Sequence, residues 1–279
     1  MHAVSRTSFS REGAGPDTQN CRQPTRLSRI LASRAQRRYP RPSSNGPSLP
    51  MLIFDCTQDA CDFFSKKVKG KIISAVQPAA AAQSLEADSA AHERVDRWQL
   101  HVTKFGRTQV LVAVKVDTRY AMMFVGLKRN DVQGFLQQFN ARYLLEVLVL
   151  AGNVRGEIPP QAELQRHVDL LEESFLPVHF FKRSDRSVQA HINDVLYMAA
   201  YDAYEGKGLP VEAPNLIAFG EVPNGMFRSI RGGDYFIPAE LELKQAFPRL
   251  GMVMTEVEIA EGYKRWRSRR REQDPRPEF

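Results

Sequence analysis

A chain of 279 residues with 43% hydrophobic content can bury a sizeable core in one or two domains. The net charge of +7 invites a nucleic-acid reading, but its placement weakens that reading: residues 1–50 hold nine Arg against Glu12 and Asp17, whereas residues 51–263 hold 23 bases against 27 acids. No run of about 18 apolar residues is present, which excludes a membrane-spanning helix, and three cysteines are too few for a disulfide scaffold.

Residues 1–50 are rich in Arg, Ser, Pro and Gly and have almost no apolar periodicity. They read as a disordered extension, because they cannot bury enough surface to offset ordering entropy. An organellar transit peptide or a nucleic-acid-binding arm would share this composition. The preferred reading is that Met51 is the true start, since the composition flips there to the apolar "MLIF".

"MLIF" predicts a short buried strand, and Thr57 a helix cap, with the helix running to about Lys67. Cys56 and Cys61 lie five apart with no second pair, a poor zinc site, and read as two ordinary thiols. "KIISAVQP" is a second extended piece, and 79–95 a mobile excursion poor in large apolar side chains. "RWQLHVTKF", "QVLVAVKV" and "YAMMFVGL", separated by the turns "GRT" and "DTR", predict an antiparallel meander. Asn130 or Asp131 caps a long amphipathic helix through Val149, and "EIPPQAELQRHVDLLEESF" starts another. "VHFFKR" is a strand, and Ser187 to about Tyr204 a third long helix capped by Ser184 or Asp185. Beyond Glu205 the Pro and Gly punctuation predicts surface loops, and "RGGDYF" a tight turn into an aromatic strand. "TEVEIAEGYKRWRSRRR" opens acidic and closes basic, as an exposed C-terminal helix should. The expected class is α+β: an antiparallel meander with helices packed on one face. One domain would span 51–250, followed by a C-terminal helix and basic tail over 251–279.

"MLIFDCT", "DTRYAMMFVGLK" at 117–128, "NDVQGFL" and "KRSDRSVQAHIND" at 182–194 together resemble a family of bacterial proteins, domain of unknown function 6933, over about residues 51–204. Members of that family often open with this Met-Leu-Ile-Phe run, which supports Met51 as the start. The resemblance implies a bacterial or mobile-element context and no activity. Asp55 stands where the family pattern suggests Asn.

The densest polar stretch is "KRSDRSVQAHIND". Ser187, His191 and Asp194 share one helical face, but side by side along a ridge, which is not the geometry of a triad. Arg186 is expected to be anchored at the strand–helix junction by a carboxylate or by backbone carbonyls. The alternative is an anion site in which Lys182, Arg183, Arg186 and His191 flank a helix N-terminus, with Arg119 added from the "DTR" turn. A weaker nucleic-acid contact would use Arg265, Trp266, Arg267, Arg269 and Arg270 of the tail. His167, His179 and His191 fall on three different elements and make no metal site.

No catalytic residue, cofactor or metal is assigned, and the expected location is the cytoplasm. The leading functional expectation is a non-catalytic accessory or interaction domain with a protein partner. The second is a phosphate- or nucleic-acid-binding protein using 182–191, and the third a hydrolase or phosphoryl-transfer enzyme at the same place.

Overall fold

The computed structural model describes residues 51–82, 95–157, 178–230 and 232–273, with a few positions between 160 and 169. The expectations for 1–50, for most of the excursion at 79–95, for the helix after Pro160 and for His167 lie outside the described residues.

The meander forms as its turns require. β4 (Val95–Phe105), β5 (Thr108–Lys115) and β6 (Ala121–Val125) pair antiparallel in sequence. The sheet continues on the other side of β4 with β1 (Met51–Cys56) and β7 (Val178–Lys182), both parallel to their neighbours, giving the order β6-β5-β4-β1-β7. The α+β class and the meander hold, but the complete sheet is mixed. β1 is buried along its whole length, as a central strand covered on both faces must be.

Thr57 caps α1 (Gln58–Phe63), which stops short of the expected Lys67. Lys69 and Gly70 both take positive φ, so the chain turns at once into a hairpin of β2 (Ser65–Val68) and β3 (Lys71–Ser74). Two consecutive positive-φ residues match the right-handed twist of a two-residue hairpin, and Lys-Gly was its signal.

Helices cover both faces, which widens the one-face expectation. On one face α2 (Val132–Arg155), capped by Asp131, lays Phe135, Phe139 and Tyr143 on the sheet. Phe54 of β1 sits at 4.9 Å from both Phe139 and Phe180, and Trp98 of β4 stacks edge-on against Phe139 and Tyr143. On the opposite face α3 (Arg186–Tyr204) places Val188, Ile192, Val195 and Ala199 over Val110, Val112, Val114 and Met123. The alternation of β5 sends Leu111 and Ala113 the other way, so both faces of that strand are filled.

Two helices replace the loops expected after Glu205: α4 (Ala213–Gly225) and α5 (Pro238–Arg249). Each has Pro in its first turn, where the missing N–H costs nothing. Asn224 of α4 donates to the carbonyl of Ala121 at 2.8 Å and accepts from its N–H at 2.7 Å, occupying the outer edge of β6. α5 inserts Glu242 beneath α2, where it accepts from Lys115 at 3.0 Å, from Thr118 at 2.7 Å and from Tyr143. Lys115 also lies 3.5 Å from Asp96, which Arg249 grips with two donors.

α6 (Glu256–Gln273) is not the exposed helix expected. Thr255 and Glu258 form a reciprocal capping box, and Ile259 and Tyr263 are buried. Gly262 passes so close to α2 that a Cβ there would lie 2.6 Å from the Val154 carbonyl. The turn in "RGGDYF" forms, with Gly232 at positive φ, but the aromatic strand shrinks to a single bridge between Arg228 and Phe236. Among the described residues no helix is long and apolar enough to cross a membrane.

Candidate functional site

The polar stretch at 182–194 sits where β7 ends and α3 begins, beside the end of β1. Asp185 is the cap: its Oδ1 accepts from the amides of Ser187 at 2.7 Å and Val188 at 3.3 Å. A carboxylate therefore already occupies the helix N-terminus that an anion would need. The Asp185 amide in turn donates to Gln99 Oε1 at 2.6 Å, and Gln99 reaches Gln189 at 3.1 Å.

The predicted cations do not converge. Lys182 and Arg186 are exposed, so Arg186 does not hold the junction. That role falls to Arg183, whose Nε donates to Asp55 Oδ1 at 3.0 Å, while Arg97 donates to Asp55 Oδ2 at 2.5 Å. Asp55 is buried, and burial pushes its carboxyl above the ordinary range while the two guanidiniums pull it back. Arg119 points inward from the "DTR" turn at a φ of 60°, donating to the Val116 carbonyl and to Ser187 Oγ at 2.6 Å.

His191 is buried and donates from Nε2 to the Arg119 carbonyl at 2.9 Å. Its Nδ1 is buried with no partner among the described residues. Burial, helped by the positive Arg228 nearby, lowers its pKa to about 4, so the ring is neutral at physiological pH. Ser187, His191 and Asp194 each serve a different partner, Asp194 pairing with Arg228 at 2.6 Å. They make no relay.

Sequence reasoning missed Asp55, Arg97, Gln99, Thr57 and His101 as part of this region. Thr57 Oγ1 lies 3.0 Å from His101 Nδ1, with Asp59 at 3.8 Å from the same nitrogen. An acid and a hydroxyl sharing one ring nitrogen cannot act as orienter and nucleophile on opposite sides of a base. A carboxylate in the middle of the apolar run "MLIFDC" was the available signal, since a buried charge requires partners.

In the tail, Arg265 and Arg269 are exposed and line a groove with Arg155 and Lys264. Trp266 is half-buried against Tyr263, with Arg270 stacked 5.7 Å over its ring and paired to Glu221, and Arg267 is half-buried. A further cavity of about 30 Å³ between α2, α4, α5 and α6, lined by Tyr120, Glu146 and Asn224 among others, has room for water only. Among the described residues no group of three His, Cys, Asp or Glu is placed to hold a metal ion.

Taken together these elements define an α+β domain whose sequence motifs are joined at one internal junction. Three of the four pieces, "MLIFDCT", "DTRYAMMFVGLK" and "KRSDRSVQAHIND", meet there through Asp55, Arg119, Arg183 and His191. Residues 53–241 match the family described as Domain of unknown function (DUF6933), and the chain belongs to that family. No curated protein and no solved structure matches the chain.

The buried histidine generates a pH prediction. A folded-state pKa near 4 against an ordinary 6.5 means that the unfolded chain binds the proton first. Stability is therefore fully present above pH 6.5 and is lost as pH falls toward 4, by at most about 1.4 kcal/mol per pH unit. The raised carboxyls of Asp55 and Glu146 bias the slope the opposite way, so the comparison must be with a variant. Urea unfolding of His191→Gln between pH 7 and 4 should be visibly flatter than that of the native chain, and equal slopes would contradict a neutral buried His191.

Proposed function

We propose that this is a non-catalytic interaction domain whose docking surface is the outer face of α3. The observation that carries the reading is a row of exposed tyrosines at helical spacing: Tyr197 at 72%, Tyr201 at 38% and Tyr204 at 87% exposure. Aromatic side chains bury large area at low entropic cost, and a ridge of three spans roughly 10 Å of helix. The cations of the neighbouring stretch support the same reading, because Arg119 and Arg183 act inside the fold and the amides at the start of α3 are bonded to Asp185.

The occupant is a second copy of this chain. An isologous two-fold contact crossing near Tyr201 sets Tyr197 against the second copy's Tyr204. It also brings the Asp194 end of one helix to the Lys207 end of the other, and both of those side chains are half-exposed. Sedimentation equilibrium should show concentration-dependent dimers for the native chain. Tyr197→Lys with Tyr204→Lys should be monomeric with its melting temperature unchanged. A native chain that stays monomeric at ~100 µM would contradict the proposal.

A second reading rests on a different surface. Arg265, Arg269 and Lys264 are exposed along one groove with Arg155, which favours phosphate contacts at the junction of α2 and α6. If duplex DNA binds there, changing Arg265 and Arg269 to Gln should reduce the slope of log affinity against log salt by about 1.8. An unchanged slope would remove the groove from the contact.

A further inference from the structure

Cys56 ends β1 and Cys61 lies in the second turn of α1, with the Thr57 cap between them. As sequence they read as ordinary thiols. In the fold they face each other: the two side chains are hydrogen-bonded together, and the Cys61 Sγ also lies 3.6 Å from the Cys56 carbonyl. The pair sits where the parallel strands β1 and β7 end. Lys182, the last residue of β7, lies close enough to act electrostatically on Cys61. The surroundings differ between the two sulfurs, since Cys56 is 1% exposed and Cys61 7%.

We propose that Cys56 and Cys61 form a reversible dithiol–disulfide couple, with Cys61 the attacking thiol and small-molecule disulfides the oxidant class. Three observations separate this pair from two inert core cysteines. The hydrogen bond already holds sulfur against sulfur, so closure needs only a short contraction rather than movement of the sheet. The Cys56 thiol donates to Cys61, and that donation, followed by the charge of Lys182, lowers the Cys61 pKa from its ordinary value against the opposing effect of burial. Cys56 is pushed well above its ordinary value by the same bond and by burial, which assigns it the resolving role.

The exchange balances as follows. The Cys61 thiolate attacks one sulfur of the small disulfide RSSR, forming a Cys61–SR mixed disulfide and releasing one RS⁻. The Cys56 thiol gives its proton to solvent and attacks the Cys61 sulfur, releasing the second RS⁻. Both released thiolates take up protons, so the protein loses two electrons and two protons and RSSR becomes two RSH. The bond would tie the end of β1 to α1, one residue from Asp55 and its two arginines.

The test uses the full-length chain and oxidised glutathione. After exposure the protein is quenched with acid, alkylated under denaturing conditions and digested, and the peptide carrying both cysteines is weighed. The expected product is that peptide lighter by two hydrogens and unalkylated at both positions, returning to the doubly alkylated form after dithiothreitol. Cys56→Ser should accumulate glutathione on Cys61, and Cys61→Ser should show near-complete loss of oxidation at Cys56. Recovery of both cysteines fully alkylated from the native protein would overturn the proposal. So would a stable glutathione adduct on native Cys61 that Cys56 never resolves, or pairing of either residue with Cys21.

Discussion

One carboxylate holds the frame together. Asp55 lies in a strand buried on both faces, and such a charge is tolerated only if it is paired and hydrogen-bonded. Its two oxygens are taken by Arg97 from β4 and by Arg183 just past β7, the two strands that flank β1 in parallel. Parallel pairing lacks a local turn to set its register, and β1 and β7 are far apart in the chain. A carboxylate that reaches both neighbours supplies a register marker that backbone ladders alone do not.

The consequences spread outward from that junction. With Arg183 held, the chain leaves β7 in a fixed direction, Asp185 caps α3, and the helix lies across β4 and β5 with its aliphatic stripe inward. The first turns of α3 then receive Arg119 on Ser187, while His191 closes the "DTR" turn from below. On the other face the filling is aromatic, and beside it lies a buried ionic cluster of Lys115, Asp96, Glu242 and Arg249. Replacing such a cluster with apolar groups is often neutral for stability, whereas removing one partner is costly; its value lies in specifying where α5 docks. The polar residues that looked available for a ligand are therefore largely spent on architecture. What remains for function is on the outside of α3 and α6.

Much of this was legible where the physics is local. The meander, the Thr57, Asp131 and Asp185 caps and the long helices follow from alternation, turn residues and 3.6-residue periodicity. α4 and α5 were hidden because Pro214, Pro223, Pro238 and Pro248 read as breakers. Two of these prolines lie in first turns, and the others fall near the C-terminal ends of their helices. The parallel placement of β1 and β7 was not legible, since nothing in either run names its partner. The candidate site fared likewise. Its cations were visible, but the sign of their role depended on Asp55, 128 residues from Arg183, and on Arg119 turning inward.

The most direct test of this account is a double-mutant cycle between Asp55 and Arg183 in urea unfolding. Asp55→Asn, Arg183→Met and the double variant should give a coupling of at least ~1 kcal/mol, because each single change leaves a buried or half-buried charge without its partner. The double variant should lose less than the sum of the two. Additive effects, or an Arg183→Met chain as stable as the native one, would contradict it: Arg183 would then not be a strut of the fold, and the anion site would return as the better reading of the stretch from Lys182 to His191.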